Sequence, residues 1–174
     1  KQKTAYEILT CDWSSDVCSS DLTYSGAVTL SADVIITTSN ANVTFSSSIA
    51  RDATARDLTF NTGTGTVSIT GAVGSGAALD VITLTQTGGT TFSSTVDAAT
   101  ITLTDTADAA NITFSGNVTA TTLNTATQGY NVVFNGSSNS ITNAVTFSNT
   151  GTVTLGNGSD TLAFTGRSEE HTSE

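Results

Sequence analysis

The 174-residue chain has the length of one domain, and its formal charge of −10 with a pI near 4.1 excludes a nucleic-acid binder, which needs Lys and Arg to neutralise phosphates. The composition is uneven along it. Cys11, Cys18, Trp13, His171, both lysines and all four glutamates lie before residue 23 or after residue 166.

The two ends share an origin that the genetic code exposes. Arg167 to Glu174 can be written AGA TCG GAA GAG CAC ACG TCT GAA. The reverse complement of that DNA, read one base in, encodes Ser15 to Asp21 and opens a Leu codon at Leu22. Two segments that are antisense readings of one DNA resemble a translated sequencing-library adapter. Lys1 to Glu7 is similar to the adapter's outer primer-binding arm, with Ile8 to Cys11 spanning the index. Residues 1–22 and 167–174 are therefore set outside the fold, as an expression scar would be. Cys11, Cys18, Asp12 and His171 go with them, although together they could be read as a disulfide or a zinc constellation. A start without Met and a stop in mid-pattern lead us to expect a fragment, in which a missing leader says nothing about compartment.

Thr23 to Gly166 contains no Cys, His, Trp, Met, Pro, Lys or Glu, and eight aspartates against two arginines give it a formal charge of −6. Val28 and Leu30 flank Thr29 with the period of two that marks a half-buried strand, and Val34-Ile-Ile36 follows as a second. From there one phrase recurs, clearest at Asn111-Ile-Thr-Phe-Ser-Gly-Asn-Val-Thr119. Its anchors are Phe45, Ile69, Phe92, Phe114, Phe134 and Leu155, at intervals of 24, 23, 22, 20 and 21 residues. A second series ends in Phe60, Leu84, Leu103, Leu123, Phe147 and Phe164. A short third strand is predicted four residues after each anchor, at Ile49, Val73, Val96 and Val118, with Ser138 and Ser159 breaking that column.

Threonine is the most frequent residue and the strong helix formers Glu, Lys and Met are missing, so propensity favours strand over helix. Ser115-Gly116, Asn135-Gly136, Gly88-Gly89 and Gly63-Thr-Gly65 supply residues suited to tight corners. An immunoglobulin-like sandwich would also alternate and turn often, but it does not predict a phrase returning in register. A solenoid does, because each coil stacks on its predecessor and equivalent residues form columns. The predicted fold is all-β, a parallel β-helix (β-solenoid) of about six rungs of 20–24 residues over 23–166. Neither end carries a polar cap, so exposed edges and association are expected.

The phrase x-Val-Thr-Phe-Ser-Gly-x-Val, the Thr-Leu-Thr-Leu strands and the Gly-Asn-Gly-Ser-Asp-Thr-Leu ending resemble bacterial large repetitive surface exoproteins. These are the filamentous-haemagglutinin-like and beta-strand-repeat adhesins, and the likeness spans almost all of 23–166. It implies a right-handed parallel β-helix that is secreted and displayed extracellularly at the cell surface. The function expected on that basis is a non-enzymatic stalk or passenger segment. It would stack end to end with neighbouring repeats, touch host or environmental surface glycans or proteins, bind no nucleic acid and insert in no membrane. The alternatives are a carbohydrate-active β-helix and a calcium-stiffened structural module.

Candidate chemistry is sparse, and no cofactor is expected. Gly156-Asn-Gly-Ser-Asp-Thr-Leu162 resembles the calcium-binding nonapeptide of repeats-in-toxin proteins, with Leu155 in place of the first Gly. Asp160 would be its carboxylate ligand, but a single copy reads equally as a turn made of ordinary turn residues. Asp97, Asp105 and Asp108 could suggest paired carboxylates, yet no His, Lys or Glu accompanies them, and surface charge is the simpler reading. Ala50 to Asp57 holds both core arginines, Arg51 and Arg56, in an excursion that either projects toward a partner or is solvated. Asn42, Asn111, Asn117, Asn135 and Asn157 open Asn-x-Ser/Thr sequons, read here as turn chemistry. Thr83-Leu-Thr85, Thr100-Ile-Thr-Leu-Thr104 and Thr152-Val-Thr154 raise a threonine ladder of the ice-binding kind. The unequal rung lengths, with Val133 and Ala163 at outward positions, argue against strict register.

Overall fold

The computed structural model describes residues 21–166. The adapter-like stretches up to residue 20 and from 167, with Cys11, Asp12, Cys18 and His171, lie outside the described residues. In chain order the strands are β1 (Leu22–Tyr24), β2 (Val28–Leu30), β3 (Val34–Thr37), β4 (Val43–Phe45), β5 (Ile49–Arg51), β6 (Leu58–Asn61), β7 (Val67–Ile69) and β8 (Leu79–Gln86). They continue as β9 (Thr90–Phe92), β10 (Val96–Leu103), β11 (Asn111–Phe114), β12 (Val118–Thr125), β13 (Asn131–Phe134), β14 (Ser138–Ile141), β15 (Val153–Leu155) and β16 (Thr161–Phe164). No helix among the described residues is long and apolar enough to cross a membrane.

Every pairing is parallel. One seven-stranded sheet runs β1-β4-β7-β9-β11-β13-β15, a second runs β3-β6-β8-β10-β12-β14-β16, and β2 pairs with β5 at a corner. Parallel neighbours need a crossover, and here each crossover is one coil of the solenoid, about six coils in all. The first sheet places Tyr24, Phe45, Ile69, Phe92, Phe114, Phe134 and Leu155 in one continuous register column. The Phe spacing therefore identifies one stacked column, and Tyr24 extends it by a rung. Leu22 and Tyr24 point inward and Leu22 pairs with Val43, so the first strand starts ahead of Thr23.

Alternation explains the cross-section. In β4, Val43 and Phe45 are buried while Thr44 is half-buried, and β11 repeats this with Ile112, Thr113 and Phe114. The inward rings stack: Phe92 on Phe114 at 5.0 Å and 2°, Phe114 on Phe134 at 5.0 Å and 14°, Tyr24 on Phe45 at 4.6 Å and 11°. Rings held this nearly parallel favour an untwisted sheet. The second sheet covers the open side of this column, with Phe60 edge-on to Phe45 at 6.2 Å. A small apolar void of about 10 Å³ between Tyr24, Val34, Phe45 and Leu58 has room for about one water molecule.

The second series departs from its predicted register. Leu84 does pair with Leu103, but Leu103 pairs with Thr125 and it is Ile101 that meets Leu123. In β10 two half-buried neighbours, Ala99 and Thr100, interrupt the alternation, so one long strand carries two inward runs offset from a simple count. Phe147 lies outside any strand and packs on the core from the side, 6.5 Å from Phe134, while Phe164 pairs with Ile141.

The third column runs from Val28 through Ile49, Val73 and Val96 to Val118. It does not stop at Ser138, because the register of β12 on β14 brings Asn139 opposite Val118. Asn139 is buried; its Oδ1 accepts from Val118 N at 2.9 Å and its Nδ2 donates to Gly136 O at 2.6 Å. A carboxamide thus replaces a backbone carbonyl where the step from the anchor to the third column, Phe134 to Asn139, is one residue longer. The next position is Leu162, and Ser159 lies in the preceding turn.

A second polar feature lies inside another corner. Thr62 Oγ1 donates to Gly65 O at 2.6 Å, and Thr87 Oγ1 lies 2.9 Å from Thr106 Oγ1. Gly65 is required there, since a Cβ would sit 2.1 Å from Ala41 O. One rung on, Tyr130 fills the corner: its hydroxyl donates to Leu103 O at 2.8 Å and accepts from Ala126 N at 3.0 Å. Burial pushes the phenol up, the Ala126 contact opposes this, and Asp105 adds to the rise. The folded phenol holds its proton more tightly than the unfolded one. Its contribution is complete below the ordinary value of 10.0 and is lost as pH rises through the folded value. Tyr130→Phe is expected to cost about 0.5–1.5 kcal/mol in urea melts near neutrality, through loss of the hydroxyl's own bonds, since Ala126 N still donates to Leu103 O. The variant should also flatten the fall in stability that sets in as pH rises above the phenol's ordinary value of 10.0.

The two ends differ. Leu22 and Tyr24 in the first rung are buried, whereas Leu155 in the last is 49% exposed. Among the described residues β1 and β15 are the terminal strands of the first sheet, and β3 and β16 those of the second.

Candidate functional site

Asp160 lies in the turn between Leu155 and β16, where Gly156 adopts φ +80°. Its Oδ2 accepts from Asn157 N at 2.6 Å, so the carboxylate closes the Gly-Asn-Gly-Ser-Asp turn on itself. Among the described residues no group of three His, Cys, Asp or Glu converges anywhere. Calcium takes six to eight oxygens, so Asp160 would have to share an ion with backbone carbonyls of the turn, and its Oδ2 already accepts from Asn157 N. Millimolar calcium or a chelator is accordingly expected to leave the melting temperature unchanged, as followed by circular dichroism. A calcium-dependent rise would restore Asp160 as a ligand.

Asp97 opens β10 and Asp105 lies just past its end, which separates them by on the order of 20 Å along the strand. A glycosidase needs its two carboxyls within roughly 5 to 9.5 Å of each other. Asp108 is exposed and its carboxylate faces Gly129.

The Arg51 to Asp57 excursion is tied down. Arg51 Nε donates to Ala78 O at 2.6 Å and its Nη1 to Asp52 O at 3.0 Å. Arg56 grips Asp52 with two bonds, Nε to Oδ1 at 3.0 Å and Nη2 to Oδ2 at 2.7 Å, which holds the Asp52 carboxyl below its usual range. Asp33 and Asp57 accept from the Asp57 and Val81 amides of the next rung. Arg51 therefore fastens the loop to the next coil, and Arg56 closes the loop on itself.

The outer face of the first sheet carries polar residues in columns. The middle residues of its strands, Thr23, Thr44, Ser68, Thr91, Thr113, Val133 and Thr154, stand in unbroken register. The unequal rung lengths do not disturb this column, because the extra residues are housed in the connections. The register objection to a threonine ladder therefore fails for this sheet, although Ser68 and Val133 interrupt the threonines.

A second column flanks the first at Asp21, Asn42, Thr66, Gly89, Asn111, Asn131 and Thr152. Asn42 Oδ1 accepts from both Thr66 N and Oγ1 at 2.9 Å, and Asn131 Oδ1 accepts from Thr152 N at 2.8 Å and Oγ1 at 2.9 Å. Asn131 Nδ2 donates to Asn111 Oδ1 at 3.0 Å, and Asn42 N donates to Asp21 Oδ1 at 3.0 Å. On the other flank Ser46, Thr70, Ser93, Ser115 and Asn135 each donate their backbone N–H to the anchor of the rung before, forming a third outward column. Sequons Asn42 and Asn111 thus belong to a ladder; Asn117 Oδ1 likewise accepts from Ser138 N at 2.9 Å. The signal for this face was present in the repeated phrase, whose alternate positions read Asn, Thr, Ser.

Comparison with protein-family models, curated proteins and solved structures returns no match for this chain.

Proposed function

We propose that the chain is a non-catalytic spacer from a secreted, surface-displayed bacterial adhesin, a stalk that holds other elements away from the cell. The observation that carries this reading is the register of the first sheet: each 20- to 24-residue coil adds one strand spacing, about 4.8 Å, to a rod. Seven strands thus span about 29 Å. Side chains that could serve chemistry, Arg51, Asp52, Asp57 and Asp160, are bonded to the backbone or to each other. The resemblance to repetitive surface exoproteins supports the compartment.

The test is turnover. Incubation of the purified chain with a panel of plant, bacterial and host polysaccharides should release no new reducing ends. Cleavage that disappears in Asp97→Asn would replace the stalk with a carbohydrate-active β-helix. In the source genome the stalk reading expects an export signal upstream, an outer-membrane barrel or partner transporter, and no counterpart of residues 1–22 and 167–174.

A further inference from the structure

We infer that the outer face of the first sheet is an ice-binding surface, a role that goes beyond the stalk and does not rest on it. Three observations meet there. The face is a grid: rows such as Asn42, Thr44 and Ser46, or Asn111, Thr113 and Ser115, repeat at the strand spacing of about 4.8 Å and place outward residues roughly 7 Å apart along each row. Stacking and side-chain ladders are the two features that hold a sheet flat, and this one has both, the near-parallel Phe92–Phe114–Phe134 rings beneath and the Asn–Thr ladder above. The grid is also held before any ligand arrives, since Thr66 and Thr152 are each fastened to the asparagine of the rung before.

The chemistry of the face selects the ligand. Its groups are hydroxyls and carboxamides, which both donate and accept, and its only charge is Asp21 at one end. An ionic mineral would require charged rows. A crystalline glucan would require exposed rings, and the rings of this sheet, from Tyr24 to Phe134, all face inward. A neutral lattice of donors and acceptors, repeated in two dimensions, matches what remains. Only a crystal meets every row at once, so contacts that are individually weak act together. Gly89, Val133 and Gly156 are the gaps in the grid.

The experiment is thermal hysteresis of the full chain, with folding monitored by circular dichroism. The chain should separate freezing from melting and shape growing ice crystals. Thr91→Tyr and Thr113→Tyr should abolish this while leaving the fold intact, and Thr83→Tyr, on the outer face of the second sheet, should leave it unchanged. Val133→Thr should increase it by filling a gap. Absence of hysteresis in the folded chain, or its survival in both face variants, would overturn the proposal. Retention on crystalline cellulose or chitin without any effect on ice would also overturn it and assign the face to polysaccharide.

Discussion

Phe114→Asp is expected to leave the chain unfolded at room temperature, while Thr113→Asp, one residue away, melts like the parent. Phe114 is fully buried and stacks 5.0 Å from both Phe92 and Phe134. Truncating such a ring removes about 3–5 kcal/mol, and an unpaired carboxylate in its place adds several more. The sum consumes the roughly 5–15 kcal/mol that holds an ordinary domain together. Thr113 faces outward between Thr91 and Val133, so its carboxylate stays solvated and the change is limited to about 1 kcal/mol of strand preference. Far-ultraviolet circular dichroism and urea titration of the two variants decide the matter. Equal behaviour would mean that the inward and outward faces have been misassigned.

The second large effect concerns register. An alanine inserted between Ile112 and Thr113 turns Phe114 to the outside and Thr113 to the inside, because strand side chains alternate with a period of two. Loss of the folded state is expected. The same insertion after Gly76 should be nearly silent. Ser75 and Gly76 are exposed, and a Cβ built on Gly76 meets no atom within 4 Å. Lengthening such a loop by one residue costs well under about 0.6 kcal/mol. Limited proteolysis separates the outcomes, since the strand insertion should be digested throughout and the loop insertion only at its tip.

This contrast also explains which parts of the fold were legible in the sequence. The first sheet is built of short strands in which apolar, polar and apolar residues follow one another, and Phe45, Phe92, Phe114 and Phe134 mark the same position each time. A count of residues between them finds the column even though the count varies, because the variation is confined to connections. The second sheet hid its register. Leu103 and Leu123 look equivalent, but the pairing of β10 with β12 skips Ala99 and resumes in the same register at Thr100, and Leu123 belongs with Ile101. The third column hid its continuation for a chemical reason. Asn139 occupies an apolar position and is tolerated there because both ends of its amide are bonded. Nothing in an isolated asparagine announces that, and the extra residue between Phe134 and Asn139 was the only trace.

The candidate site was legible in part. Asp160, Asp97, Asp105 and Asp108 could be named from the sequence, but not how far apart they would lie. The outer face was written in the phrase Asn-Ile-Thr-Phe-Ser, and unequal rung lengths obscured it until the connections were seen to absorb them.

The most direct measurement is a cross-link in a chain whose Cys11 and Cys18 have been changed to Ser. Thr91 and Thr113 are register partners on adjacent parallel strands. Their Cα atoms are separated by the strand spacing of about 4.8 Å, within the reach of a disulfide. Thr102 stands on the outer face of the other sheet, across the core from Thr91. The solenoid requires that Thr91→Cys with Thr113→Cys oxidise to an intramolecular disulfide in the folded monomer, and that Thr91→Cys with Thr102→Cys remain reduced. A folded chain that forms the second bond and not the first would contradict it.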